Sequence, residues 1–582
     1  MVQTVWKVLP PPSLRGGVPN EAEAISSLGL LRHPALSGGT PRNDVSELLS
    51  QILANRGIQT PEEIENFLHP SREKLLNPFA MKGMQAAVER IQRAHLQGEK
   101  VLVHGDYDVD GITGTAIASL ALSKLGIAHE TFLPERKRDG YGVSEEAIRK
   151  AARDGVRLLV TVDCGISARE EIQSARQAGI DALVLDHHQL PAEGLPPAHA
   201  ILNPLQEDCE YPFKELSAGG LAFKLAQALL GVEAFDYFDL ATLSTVADLA
   251  PLRGENRIIV KEGLRQLSDR KRTGIRALAE VAGLRSKEIK TSHVGFALGP
   301  RINASGRMSS PATALRLLLT ENEREAASLA RILEEENRRR QKEERRTVTE
   351  AVSEVERTVN FSRDRVLVVA REGWHAGVIG IVAARLVERY HRPAFVIALE
   401  SGKGKGSGRS IRSFHLFKAL EAAREHLDEF GGHEQAAGFN LKEDQVLPLR
   451  KKLNEHSHAA YSSEVFLKSI PIDLEISFSE LTSQFLCELE LLEPFGLGNP
   501  KPVFLTRGLG VRNTAPGRGN SSRPQIWVTD GSLTYEIAVT ERSGVSFDFE
   551  AGTRFDLVYN VTRKIWQGEE KIVLEVKDAK PV

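Results

Sequence analysis

The stretch Val101-Leu-Val-His-Gly-Asp-Tyr-Asp-Val-Asp-Gly111 decides the fold of this chain. Lys100 to Val103 reads as a buried strand, and polar ligands crowd the loop behind it: His104, Asp106, Asp108 and Asp110. Thr113 to Leu125 then reads as a helix, with small and apolar residues packed along it. Strand, acidic loop and helix in that order put the carboxylates at the carboxyl end of a strand, where open α/β sheets bind ligands. Acidic groups this dense repel one another unless a cation neutralises them, so the pattern points to a metal.

The design recurs twice. Val156 to Asp163 is an apolar strand ending in a carboxylate, followed by Cys164-Gly165 and a helical pattern. Asp181 to His188 is another, ending in Asp186-His187-His188. A single strand-end Asp is often only a helix cap. Three strands ending in Asp or His at one edge favour a metal site. Cys164 invites a rival, a thiol nucleophile activated by His187 or His188, but the sequence supplies no evident third orienting group. A small buried residue beside a ligand is the plainer account.

Charge and composition leave the partner open. At 582 residues the chain should hold three or four domains. A net charge of −3 does not decide for or against nucleic acid, because an acidic site and a basic groove cancel in the total. Cys164, Cys209 and Cys487 are few and far apart, as expected in a reducing cytosol. With no leader pattern and no apolar stretch of membrane-spanning length evident, the expected location is cytoplasmic, with no membrane partner.

Along the chain, residues 1 to about 40, with Pro10-Pro-Pro12 and Gly38-Gly39, read as a weakly structured arm, and Asp44 to Phe67 as two helical pieces. From about 80 to 320, alternating strands and helices predict a parallel sheet covered on both faces. Arg324 to Glu356 is a charged helix whose Val348, Val352 and Val355 keep an apolar stripe, a solvated connector rather than a dedicated DNA-binding segment. A second α/β unit follows, with strands Arg365–Ala370 and Ala394–Leu399 around helix Val378–Glu388. Gly402 to Gly408 reads as a glycine-rich basic loop. From about 465, short β-branched and aromatic strands between Gly, Pro and Asn turns predict a small all-β barrel.

The motifs His104-x-x-x-Asp108-x-Asp110, Asp163-Cys-Gly, Asp186-His187-His188 and Asp248 in Ser244-Thr-Val-Ala-Asp-Leu-Ala-Pro-Leu252 resemble those of the DHH phosphoesterase superfamily. Gly140-Tyr-Gly142, Gly299 to Met308, Trp374 to Gly380, Gly431-Gly-His433 and Phe495-Gly-Leu-Gly-Asn-Pro500 are similar to its single-strand-specific DNA exonucleases, from about residue 80 to the C-terminus. The resemblance implies an α/β fold: an N-terminal extension (1–79), a parallel-sheet DHH domain (80–323), a long connecting helix (324–360), a smaller α/β DHH-associated domain (361–460) and a C-terminal all-β OB-fold (465–582). It implies a 5′-to-3′ exonuclease of repair and recombination that uses two divalent cations, Mn²⁺ or Mg²⁺. It further implies single-stranded DNA as partner, a single-strand-binding protein and a helicase as companions, and a monomer.

Carried over, the pattern gives His104 and Asp108 to one ion and Asp110, His187 and Asp248 to the other, with Asp163 bridging. Asp106 and Asp186 orient ligands or waters. His188 touches substrate or protonates the leaving oxygen, against the plainer reading of a packed structural histidine. Arg301, Asn303 and Arg307 sit in what reads as a Gly/Pro/Ser loop suited to phosphate. Ser407, Arg409 and His433 resemble the terminal-nucleotide contacts of a DHH-associated domain. Lys137, Arg138 and Tyr141 are candidates for the strand's path, with Tyr141 equally readable as a packing aromatic. Phe504, Trp527, Tyr535, Tyr559 and Trp566 are candidates for base stacking, although barrel aromatics are more often core. Two alternatives stand: a phosphoesterase of small molecules or short oligonucleotides, which leaves the last 120 residues unexplained, and a non-catalytic assembly factor, which intact ligand positions oppose.

Overall fold

The computed structural model describes residues 4–9, 45–135, 142–515, 525–539, 553–566 and 569–582, with the backbone alone at 564–566 and 569–570. The N-terminal segment is no loose arm where it is described. Strand β1 (Thr4–Val8) pairs in parallel with a strand more than 450 residues later, Lys468–Ile472. Helices α1 (Glu47–Asn55) and α2 (Pro61–Leu68) bury Leu49, Ile52, Leu53, Ile64 and Phe67 in the core of the C-terminal domain. Thr60 and Glu63 form a capping box at α2, with Pro61 in its first turn. Residues 45–68 of the expected extension therefore pack with the C-terminal domain, because their apolar faces have that core to cover, while Leu75 and Leu76 pack on the next unit.

The next unit holds a five-stranded, all-parallel sheet in the order β3-β2-β4-β5-β6: β2 (Lys100–Gly105), β3 (His129–Phe132), β4 (Val156–Val162), β5 (Asp181–Leu185) and β6 (Ala200–Leu202). β2, β4 and β5 are apolar runs because both faces are covered. Helix α3 (Val109–Lys124) follows β2. Beyond Leu202 the unit is helical, so the predicted alternation ends well before 320. Its helices include α4 (Ala218–Leu230), α5 (Phe238–Ala247), α6 (Gly254–Asp269) and α7 (Gly299–Met308). The run Ala218–Ala247 is long and apolar enough to cross a membrane by length and composition, which corrects the expectation that no such stretch exists. Most of that run is buried in this unit's core, with Leu221, Phe223, Phe238 and Leu240 inside.

Helix α8 (Glu323–Thr358) leads into the second α/β unit: β7 (Leu367–Glu372), α9 (Ile379–Tyr390), β8 (Ala394–Glu400), β9 (Lys403–Arg409), β10 (Glu429–Gly432) and β11 (Ala436–Lys442), in sheet order β10-β11-β9-β8-β7. The expected loop at 402–408 is β9, paired on both sides. Lys403, Lys405, Ser407 and Arg409 alternate with Gly404, Gly406 and Gly408, and the glycines lie under Leu441, Phe439 and Phe395, where a side chain would collide. That period of two is a strand signal hidden by glycine's turn preference.

The C-terminal domain adds β12 (Lys468–Ile472), β13 (Leu474–Glu475), helix α10 (Ser483–Leu491), β14 (Phe504–Ala515), β15 (Gln525–Thr529), β16 (Thr534–Ala538), β17 (Arg554–Trp566) and β18 (Glu569–Pro581). The order β14-β15-β16-β18-β17 closes through β14–β17 pairing into a five-stranded barrel, the small barrel expected from the turn spacing. Phe504 and Tyr559 lie inside it. Tyr535 meets Phe478 edge-on at 5.0 Å and Trp527 is half-buried, while the Trp566 side chain lies outside the described part.

Candidate metal centre

The carboxyl edge of β2, β4 and β5 gathers the acidic motifs. Asp108 caps α3, accepting the Asp110 and Gly111 N–H groups at 2.8 and 3.2 Å. The helix-cap reading of a strand-end carboxylate thus holds for Asp108. Asp110 accepts the Ala218 and Gly219 N–H groups at 2.9 and 2.7 Å and the Ser244 hydroxyl at 2.5 Å, which pins the start of α4 and the middle of α5 to the edge. Ser244 and Asp248 stand one turn apart on the same helix, and that spacing is the sequence signal for Ser244's part. Asp163 follows β4 in left-handed backbone, φ +63°, an unfavourable state for a residue with a side chain and one that collects at functional sites.

Three groups of side chains bring ligand atoms within 4.8 Å of one another: Asp106, Asp108 and Asp163; Asp110, His187 and Asp248; and Asp163, His187 and His188. His187 Nε2 lies 3.4 Å from Asp163, 3.6 Å from Asp110 and 3.8 Å from Asp248. His104, expected to hold an ion with Asp108, belongs to none of these three groups. β2 runs through Gly105, so His104 stays in the pleat and its ring turns to the sheet face, 5.0 Å from Phe132. Its Nε2 accepts the Ser144 N–H at 3.1 Å. Asp106, expected to orient ligands, stands instead with Asp108 and Asp163.

Burial sets the electrostatics. Asp163 is held well above the ordinary carboxylate range by burial, then by Asp110, Asp108 and Asp106. Burial and the Asp110 charge raise Asp108, and the same two causes lift Asp248 to about 8. Burial lowers His187 against the pull of the carboxylates. For His188 burial is outweighed by its 2.7 Å bond to Asp186, and the imidazole rises to about 9. Asp186 also takes the Ile166 N–H at 3.0 Å and is lowered, burial notwithstanding, by His188. The Asp163 Oδ1 is buried without a hydrogen-bond partner. Crowded carboxylates with raised pKa values, an orphaned oxygen and imidazole nitrogens are a donor set that fits divalent cations of the Mn²⁺ and Mg²⁺ kind. Burial also pushes the Cys164 thiol well up, with Sγ 3.8 Å from His104 Nδ1, which removes the thiolate nucleophile.

The expected substrate residues divide. His433 stacks on His188 with ring centroids 6.4 Å apart, so the second α/β unit reaches the centre. Ser407 and Arg409 adjoin each other, Arg409 Nη1 to Ser407 Oγ 3.2 Å, and both face the first turn of α9 at Gly380. Arg301, Asn303 and Arg307 lie on a helix, not a loop; packing against α3 and α8 overrides the composition. Arg301 is turned to Glu334 at 2.7 Å, and the Asn303 amide oxygen accepts the Val109 N–H at 3.1 Å. Arg307 donates to Gly377 O at 3.1 Å, and its charge acts on Asp108. Lys137, Arg138 and Tyr141 lie outside the described residues.

A parallel sheet edged with carboxylates and paired imidazoles, joined by one helix to a second α/β unit, defines a DHH phosphoesterase. Residues 100–250 match the DHH family N-terminal domain, 363–457 the DHHA1 domain and 472–578 the RecJ OB domain. The chain belongs to the RecJ family. It is 37% identical over 542 residues to the single-stranded-DNA-specific exonuclease RecJ of Bacillus subtilis, covering 93% of this chain and 69% of that one. The Thermus thermophilus RecJ crystal structure with Mn²⁺ aligns at TM-score 0.81 and 28% identity, over 99% of this chain and 80% of that one. Its Mg²⁺ counterpart aligns at 0.75 and 27%, over 99% and 78%.

Proposed function

We propose that this protein is a single-strand-specific DNA exonuclease that removes nucleotides from the 5′ end in repair and recombination. The observation that carries the reading is the adjacency of two ligand groups, Asp106–Asp108–Asp163 and Asp110–His187–Asp248, through Asp163. Asp163, which belongs to the first group and lies 3.4 Å from His187 of the second, would help to hold a pair of Mn²⁺ or Mg²⁺ ions together with the other members of both groups. When bound, such a pair activates water and stabilises charge on a phosphodiester undergoing in-line displacement. Asp186 fixes the His188 ring and keeps it protonated at neutral pH, so His188 has a proton to give the departing oxygen. Ser407, Arg409 and His433 hold the terminal nucleotide, and the closed barrel grips the strand behind it. A hydrolase of dinucleotides has no use for that barrel.

The test uses strands labelled at either end, digested with Mn²⁺ or Mg²⁺. Loss of the 5′ label first, resistance of duplex and loss of cleavage in Asp163→Ala with DNA binding retained are the expected results. Release from the 3′ end, or equal turnover of a dinucleotide and a long strand, overturns the reading.

A further inference from the structure

The motif Phe495-Gly-Leu-Gly-Asn-Pro500 has no role so far, yet it packs beside a member of the metal group. Gly496 and Asn499 exchange main-chain hydrogen bonds of 2.9 and 3.2 Å, closing a tight turn with Gly498 at φ +74°. The turn rests on Pro251 and Leu252. The Leu252 N–H donates to Leu497 O at 2.7 Å. A β-carbon on Gly496 would lie 2.6 Å from Leu252 Cδ1, and one on Gly498 3.0 Å from Pro251 Cβ. The turn is itself anchored. Buried Asn499 donates to Leu492 O and Pro494 O at 2.7 and 2.9 Å. Arg56 holds Asn499 and Pro500, and the Thr291 hydroxyl donates to Phe495 O at 2.7 Å.

What it rests on is strained. Asp248 ends α5, and Leu249 after it takes left-handed backbone, φ +62°, while the Ala250 N–H returns to Thr245 O at 3.0 Å. That helix-ending position ordinarily falls to glycine, and a leucine persists there only where its surroundings over-determine it. Two-thirds of the Leu249 surface faces solvent, so its own side chain does little of the fixing. The segment is held by α5 on one side and by the 496–499 turn on the other.

We infer that the Gly496–Asn499 turn is a positioning element for Asp248: by clamping Pro251 and Leu252 it holds the strained Leu249 backbone and keeps the Asp248 carboxylate facing Asp110 and His187. The C-terminal domain thereby helps to build the metal centre itself. The inference rests on the two-cation reading above.

Mn²⁺ titration of the full chain, by calorimetry and by the Mn²⁺ paramagnetic resonance signal, tests it. The parent binds two ions. Gly498→Ala, whose methyl group meets Pro251, weakens one of them by about tenfold, the loss typical of a displaced outer-shell support, and spares the other. Single-strand affinity in chelator stays at the parental value. Adding Leu249→Gly, which relieves the left-handed strain, restores most of the lost affinity, as it would not for a loop that was merely destabilised. Gly496→Val, pressing on Leu252, gives the same pattern and serves if Gly498→Ala melts early. Folded Gly498→Ala and Gly496→Val proteins that both bind two ions at parental affinity overturn the inference. A parent that binds fewer than two overturns the cation reading and this inference with it.

Discussion

Buried charge is handled in two opposite ways in this molecule. At the seam between the catalytic unit and the C-terminal domain, Arg257 is buried yet donates to five main-chain carbonyls, those of Phe67, Leu491, Leu492, Glu493 and Pro494, at 2.6 to 3.3 Å. Inside the catalytic unit Lys224 meets Glu255 at 2.9 Å and Leu76 O at 2.6 Å, and Glu255 also accepts from Tyr211. At the catalytic edge the carboxylates face one another and Asp163 Oδ1 has no hydrogen-bond partner. Compensated buried charge holds the structure together; carboxylates crowded beyond what His188, Arg307 and the neighbouring N–H groups offset are an uncompensated deficit that a dication fills.

Removing charge should therefore have opposite consequences at the two places. On the proposed two-cation reading Asp163→Asn takes away the shared ligand, and its cost in turnover should exceed the roughly 10- to 100-fold typical of an outer-shell partner. In chelator the same change relieves repulsion from Asp110, Asp108 and Asp106, so the ion-free protein should melt higher than the parent. A lower melting temperature in chelator would break the comparison. Lys224→Met acts the other way, because it strands Glu255 in the interior of the catalytic unit. Breaking a buried pair costs about 3–5 kcal/mol, to be read from chemical unfolding of the full chain. Turnover per folded molecule should stay at the parental value.

The pH dependence sharpens the same contrast. Asp248, lifted to about 8 by burial and then by Asp110, is mostly protonated at pH 6 in the ion-free protein. Its folded pKa lies above the unfolded value, so its contribution to ion-free stability is lost as pH rises through about 8. Cation binding must displace that proton, so Mn²⁺ affinity rises over the same window. Thermal melts in chelator and calorimetry at pH 6 and 8.5, in buffers of differing ionisation heat, should show stability falling while affinity climbs. Affinity flat across that window would remove Asp248 from the group.

The catalytic edge was legible because strand-end acids need no long-range information: Asp163 and Asp186 follow an apolar run directly, and Asp106, Asp108 and Asp110 crowd the loop and helix start just past β2. The place of His104 within β2, and of Asp106 beside Asp108 and Asp163, was not, since it turns on whether β2 stops at Val103 or at Gly105, and apolar patterning does not mark strand ends that finely. The seam was illegible for a different reason. Nothing in Glu47–Leu68 announces that its partner core lies more than 400 residues away, nor does Arg257 announce five carbonyls. Composition misled at β9 and α7, where glycine, proline and serine suggested loops. At β9 the lysine–glycine alternation was the better guide, and at α7 packing decided.

The smallest effect is expected where composition misled. Arg301 resembles a phosphate contact in the sequence, but its Nε is 2.7 Å from Glu334 and its Nη1 2.8 Å from Ala297 O, with little of the side chain exposed. Glu334 keeps a second partner in Arg338 at 2.6 Å, so losing Arg301 does not strand it. Arg301→Gln should therefore cost about 1 kcal/mol of stability, the net worth of such a bond. It should leave KM for single strands and the Mn²⁺ requirement as they are. Arg307→Gln is the matched contrast: the Arg307 charge acts on Asp108, so its removal should raise the Mn²⁺ concentration needed for half-maximal cleavage. If Arg301→Gln instead raised KM severalfold with Arg307→Gln silent, the side chain would leave Glu334 for the strand when DNA binds, and the division between compensated and uncompensated charge would not extend to α7.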